Sequence, residues 1–205
     1  DIAEWVSGAG GAGFDLVMKS VHHSETLLHT PLDWQLLREC PIPLWLVAAP
    51  PAGARTRKAT GRTLAAIDLE NVNRVHRTLN LRVLETANLV TGLSNGLLHC
   101  VNVVEHSKVL SDLDVIDSRK VRKLHIERNM SLMEGLTSPY GVVKSRIHMP
   151  VGKVGHAVNA TARKIDADLI VRGTAARRSI GARLLGNSAE RILTCAPCDV
   201  LVVHP

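Results

Sequence analysis

The sequence predicts an α/β protein built on a doubly wound, parallel five-stranded sheet. Three features of the chain point to it. Apolar, β-branched segments alternate with longer stretches of helical periodicity along residues 62–205, the order that calls for parallel strands joined by right-handed helical crossovers. The apolar fraction is 45%, yet the aromatics are only Trp5, Phe14, Trp34, Trp45 and Tyr140, so the core is Val, Leu, Ile and Ala, as in sheets covered on both faces. Part of the chain also repeats itself.

The elements read in order. Residues 63–68 (TLAAID) form the opening strand of the complete unit. Residues 73–91 form an amphipathic helix with Leu79, Val83, Ala87 and Val90 on one stripe. Residues 97–104 are the next strand, 107–118 a connection and 119–136 a helix. A strand over 144–149, a helix over 153–165 and a strand over 168–172 follow, the last running into Gly173. A basic, glycine-bearing loop occupies 174–186, Asn187 and Ser188 open a helix, and 199–203 is the closing strand.

The repeat defines the organisation. Residues 14–20 (FDLVMKS) align with 167–173 (ADLIVRG), and 36–47 (LLRECPIPLWLV) with 192–203 (ILTCAPCDVLVV), the second match lying three residues further apart than the first. Residues 1–49 therefore read as the C-terminal part of a first domain whose loop has no glycines. Residues 50–61, rich in Pro, Gly, Ala and Arg, read as a linker, and 62–205 as a complete second domain. The first domain lacks its opening strands, so the chain is expected to be a piece of a longer parent.

A glycine where a strand stops, followed by polar residues where a helix begins, arranges unpaired backbone N–H groups at the positive end of a helix dipole. The stretch from Gly173 to Ser188 is thus a candidate anion cradle. In a doubly wound sheet it lies on the C-terminal strand edge together with Asp68 and Val101, where ligands bind. Structural readings stand beside these: Gly173 simply ends a strand, Gly186 permits close helix packing, Asp68 caps the helix that follows, and Asp166 and Asp168 are solvated.

Other classes are disfavoured. The charge of +6 and pI near 9.5 are spread over helix faces with no aromatic neighbours, unlike a nucleic-acid surface. No uncharged apolar window reaches the ~18 residues of a membrane span, and a cytoplasmic protein is expected. Cys195 and Cys198 have C-x-x-C spacing, but Cys195 closes a helix rather than opening one, so buried, inert thiols are expected. His22, His23 and His29 lack a fourth ligand, and no metal site is assigned. No nucleophile elbow, zinc-protease motif or phosphate-loop lysine occurs.

Asp68 at the end of the opening strand, Gly173 to Leu193 (GTAARRSIGARLLGNSAERIL) and Ala196 to Val203 (APCDVLVV) resemble the universal stress protein family, in the tandem two-domain form. The resemblance implies a Rossmann-like, adenine nucleotide alpha hydrolase-like fold. It also implies a stress-response protein without established catalysis, often dimeric through its last strand, here as a homodimer or as a pseudo-dimer of tandem domains. ATP-binding members carry glycine, two residues, glycine, nine residues, glycine, then Ser or Thr. Gly173 and Gly186 match the outer glycines, Ala176 replaces the middle one and Asn187 replaces the hydroxyl residue. By the same resemblance Asp68 meets the adenine or ribose end and Val101 forms the apolar wall. The implied nucleotide-binding set is Ala66, Ile67, Asp68, Val101, Arg172, Gly173, Ala175, Ala176, Gly186, Asn187, Ser188 and Ala189, with ATP and Mg2+ as ligand. Arg177 and Arg178 are further donors to phosphate. Two alternatives stay open: an interaction module whose pocket has turned to an apolar ligand walled by Leu69, Val103 and Ile180, and a weak ATPase in which only Asp68 is placed to hold a metal.

Overall fold

The computed structural model describes residues 14–21, 36–37, 40–48, 59–105, 118–174 and 196–205. Among them run β1 (Val17–Val21), β2 (Leu44–Ala48), β3 (Arg62–Ala66), α1 (Arg74–Leu93), β4 (Leu97–Val101), α2 (Ser118–Thr137), β5 (Ile147–His148), α3 (Val154–Lys164), β6 (Leu169–Gly173) and β7 (Asp199–Val203). The strands form one seven-stranded sheet in the order β1-β2-β7-β6-β3-β4-β5.

The five parallel strands expected from the sequence are the run β7-β6-β3-β4-β5. To this, β1 and β2 add a parallel pair that joins β7 antiparallel, so the sheet is wider than the five strands read from the pattern. Equivalent positions of the sequence repeat take the same register: Val17 faces Leu44 as Ile170 faces Val200, and Ser20 faces Val47 as Gly173 faces Val203. At the junction Trp45 pairs with Leu201, its own counterpart in the repeat, flanked by Leu44 with Val202 and Leu46 with Val200. The two repeated segments therefore cross about a local pseudo-twofold axis. Asp199 reinforces one side of it, accepting from Trp45 Nε1 and from the Ala48 N–H, both at 2.9 Å.

Strand alternation sorts the core into two layers. Leu64, Ile170, Val200 and Val202 face α3 through Ala157, Val158 and Ala162, with Leu36, Leu37 and Cys40 in the same layer. Ala65, Val171, Leu201 and Val203 face α1 and α2 through Leu79, Val83, Ala87 and Met133. Helices thus cover both faces. Progress from β3 through β4 to β5 runs one way, and α3 then carries the chain back across β3 to β6. Strand order reverses between β3 and β6.

Several boundaries differ from the sequence reading. The helix expected at 73–91 is α1, with the Asn73 side chain accepting from the His76 N–H at 3.0 Å as its N-cap. The strand expected at 144–149 begins instead as a 3-10 turn, Lys144–Arg146, closed by the Arg146 N–H on the Val143 carbonyl at 2.8 Å, leaving only Ile147–His148 extended. Asp168, read as solvated, is a clamp. Its Oδ2 accepts from the N–H groups of Thr60 and Gly61 at 2.7 Å and of Arg62 at 3.3 Å, fixing the entry to β3. Beside it Gly61 takes a φ of +71, and its carbonyl accepts from the Leu97 N–H at 2.8 Å.

Cys40, Cys100 and Cys198 are buried thiols, and burial pushes that of Cys100 up to about 12. Such a thiol is inert at neutral pH. Cys195, His22, His23, His29 and most of the 50–61 linker lie outside the described residues. Among the described residues no helix is long and apolar enough to cross a membrane.

Candidate functional site

A cleft of about 320 Å³ opens at the C-terminal ends of β3, β4 and β6, at the point where strand order reverses. Ligands of doubly wound sheets bind there because the neighbouring crossovers part to opposite faces. The volume is at the small end of the ~300–1,000 Å³ usual for ligand clefts.

The first wall is the segment after β3. The Ile67 N–H still bonds the Val101 carbonyl at 2.9 Å, and the chain then leaves the sheet. Asp68 shapes the turn that follows. Its Oδ1 accepts from the Glu70 and Asn71 N–H groups at 3.0 and 3.2 Å, and its Oδ2 from Asn71 Nδ2 at 2.6 Å. Asp68 therefore does not cap the helix that follows, whose cap is Asn73; its carboxylate holds this turn instead. Among the described residues Oδ2 takes one donor, and a carboxylate oxygen accepts two, which leaves a position for a hydroxyl or N–H group.

Asn80, 8% exposed on α1, holds Asp68 from behind. Its Oδ1 accepts from the Asp68 N–H at 3.1 Å while its Nδ2 donates to the Asp68 carbonyl at 2.7 Å. Asn80→Ala leaves both backbone groups without a partner. A loss of about 1–3 kcal/mol is expected, read as a lower urea midpoint at unchanged slope; an unchanged midpoint would contradict this role.

Beneath the cleft runs a second polar chain. Asn102, 2% exposed, donates to the Ile67 carbonyl at 3.0 Å and accepts from Asn129 Nδ2 at 3.1 Å. Asn129 also reaches Glu70 Oε1 at 3.3 Å, which lies 2.8 Å from His125 Nε2. The chain ties α2 to the Asp68 turn.

The opposite wall is the end of β6. A Cβ placed on Gly173 would fall 2.4 Å from Leu79 Cγ, so α1 lies too close for any side chain here. Gly173 does more than end a strand: it lets the helix close over the cleft. Arg172 pairs in register with Ala66 and shares the α3 layer with Val101, Val103, Val154 and Val158, all lining the cleft. Its Nε and Nη2 donate to the Gly173 carbonyl at 3.3 and 3.2 Å. Its Nη1 is buried and has no partner. Loss of hydration pulls the guanidinium down to about 10.

Of the residues expected from sequence, Ala66, Ile67, Asp68, Val101, Arg172 and Gly173 line this one cleft. Ala175, Ala176, Gly186, Asn187, Ser188 and Ala189 lie outside the described residues, as do Arg177, Arg178 and Ile180. Leu69, offered as an apolar wall, packs instead against the α1 and α2 layer, whereas Val103 does line the cleft. Asn80, Asn102, Glu70, Glu105 and Thr174 also line it without having been singled out. Their one signal in sequence is an Asn beside the apolar stripe of α1 and another directly after β4.

A cleft at a strand-order reversal, with an acid after β3 and a glycine ending β6, places the chain in the doubly wound α/β class, whose members bind ligands at this position. The chain belongs to the universal stress protein family, which it matches over residues 78–204. It is 30% identical over 210 residues to universal stress protein E of Escherichia coli (strain K12), across 100% of this chain and 64% of that protein. Universal stress protein A homolog 1 of Coxiella burnetii (strain RSA 493 / Nine Mile phase I) is 34% identical over 143 residues, 68% of this chain and 93% of that protein. Among solved structures, a functionally unknown protein from Pseudomonas aeruginosa PAO1 superposes with a TM-score of 0.74 at 26% identity, covering 99% of this chain and 67% of that one. A universal stress protein from Archaeoglobus fulgidus DSM 4304 shares the fold, with a TM-score of 0.68 at 18% identity over 99% of this chain and 64% of that one. This chain therefore spans 64% of the length of its Escherichia coli relative.

Proposed function

We propose that this chain is a cytoplasmic stress-response binding module of the tandem type, whose cleft takes an adenine nucleotide without turning it over. The observation that carries the reading is the meeting of Asp68, Val101, Arg172 and Gly173 at one switch-point cleft. The free acceptor on Asp68 suits a ribose hydroxyl, Val101 and Val103 suit a base face, and Arg172 suits a phosphate. ATP with Mg2+ is the first ligand to test, the metal travelling with the phosphates.

In this reading residues 1–49 are the end of a first domain, 50–61 a linker and 62–205 the second domain. The antiparallel seam of β2 and β7 supports treating the two as a pseudo-dimer within one chain.

Titration calorimetry of the intact chain with ATP and Mg2+ tests the proposal. Binding heat is expected, with a rise in melting temperature equivalent to about 2.7 kcal/mol at a hundredfold excess over Kd. Neither heat nor a shift would reject it. Phosphate release that disappears in Asp68→Ala would replace binding with hydrolysis.

A further inference from the structure

We infer that Arg172 is the anion-recognising group of the cleft, so that the cleft selects a ligand bearing a phosphate monoester over its neutral counterpart. The inference rests on the nucleotide reading above and adds to it which side chain discriminates and for what charge.

Arg172 stands out for what it lacks. A guanidinium offers five N–H donors, and here only Nε and Nη2 are used, both on the carbonyl of the next residue. Nη1 is sealed from water with nothing to accept from it. It lines the cleft beside Val101, Val103, Val154 and Val158, and among the described residues no carboxylate forms an ion pair with it. A cation without a counter-charge in an apolar wall is strongly unfavourable, whereas the same cation beside an anion forms charge-assisted hydrogen bonds that are often bidentate. An apolar residue at this strand position would pack without that cost.

The remaining charges of the cleft orient the ligand. Asp68, Glu70 and Glu105 line it, and Arg172 is its one Lys or Arg among the described residues. Carboxylates after β3 and β4 repel a phosphate and accept from hydroxyl or amine groups; the guanidinium on β6 does the reverse. A ligand fits when it is anionic at one end and a hydrogen-bond donor at the other. A mononucleotide meets both conditions.

The test compares AMP, adenosine and inorganic phosphate on the intact chain by calorimetry and thermal melting, in the parent, Arg172→Met and Arg172→Lys. AMP is expected to bind about tenfold or more tighter than adenosine, the worth of a charge-assisted hydrogen bond. Arg172→Met is expected to bring AMP down to the adenosine level, and to melt higher than the parent without ligand. Arg172→Lys is expected to keep part of the preference, and covers the case in which the Met variant fails to fold. An AMP-to-adenosine ratio near one in the parent, or a ratio unchanged in both variants, would overturn the inference while leaving nucleotide binding intact. Phosphate raising the melting temperature of the parent but not of Arg172→Met, with no response to AMP or adenosine, would uphold the anion site and overturn the nucleotide reading. No response to any of the three would overturn both.

Discussion

Gly96→Ala is expected to be among the most damaging single-methyl substitutions in the molecule. The helix α1 ends in a tight C-terminal motif: Asn95 sits at a φ of 48, its N–H bonds the Gly92 carbonyl at 3.2 Å, and the Gly96 N–H reaches back to the Thr91 carbonyl at 2.9 Å. That turn lays Gly96 directly on Gly61 at the start of β3. A Cβ at residue 96 would lie 1.9 Å from the Gly61 carbonyl oxygen and 2.8 Å from its carbon. The obstacle is backbone, and that same oxygen holds the first hydrogen bond between β3 and β4. No rotamer change relieves it. A loss of about 3 kcal/mol or more is expected, at the upper end for overpacking, read from the urea midpoint by circular dichroism. Gly92→Ala is the matching control, since a Cβ there meets nothing within 4 Å; in a helix it is expected to stabilise by about 0.5–1 kcal/mol. Equal midpoints for Gly96→Ala and the parent would show that the two strands can separate at this point without cost.

The second large effect lies at the cleft. Gly173→Ala drives a methyl to 2.4–2.8 Å from Cγ, Cδ2 and Cδ1 of Leu79, a leucine 5% exposed in the α1 layer. Because Cγ itself is struck, α1 has to move, and a loss of about 1–3 kcal/mol is expected. Leu79→Ala alone costs about 2–5 kcal/mol as a large-to-small core change. Joined, the two are expected to cost less than their sum by about 1 kcal/mol or more, since the new methyl enters the space that the leucine leaves. Strict additivity would mean that Gly173 is not kept small by α1. The cycle also separates packing from ligand contact, because it is measured with the cleft empty.

Much of the fold was legible in the chain. The last strand, 199–203, and the repeat were readable because an uninterrupted aliphatic run between turn residues has few other uses in a buried parallel sheet. Asn73 marked the start of α1 for a local reason, the need of its first N–H groups for an acceptor. What was hidden depends on neighbours distant in sequence. Asp168 sits at a strand start where solvation is the ordinary outcome, and only the passage of residues 60–62 alongside it supplies its donors. Asn80 and Asn102 were not singled out, because the Asp68 and Ile67 carbonyls that they serve come from another part of the chain. The same holds for the site. Its acid, valine and glycine were identified, but that Gly173 answers to Leu79, and that Arg172 has no counter-charge among the described residues, are facts of packing. The short β5 was misjudged because the alternation over 144–149 is equally compatible with a 3-10 turn feeding an edge strand.

The crossing of β2 and β7 has a consequence of its own. When two identical subunits join edge to edge, every change at their boundary is made twice and must be tolerated in both copies. Within one chain that restriction is absent: Asp199 grips the Trp45 indole on one side, while its repeat counterpart is Pro43, which has no carboxylate to do the same on the other. The two sides of this seam can therefore carry different side chains, and at Pro43 and Asp199 they do.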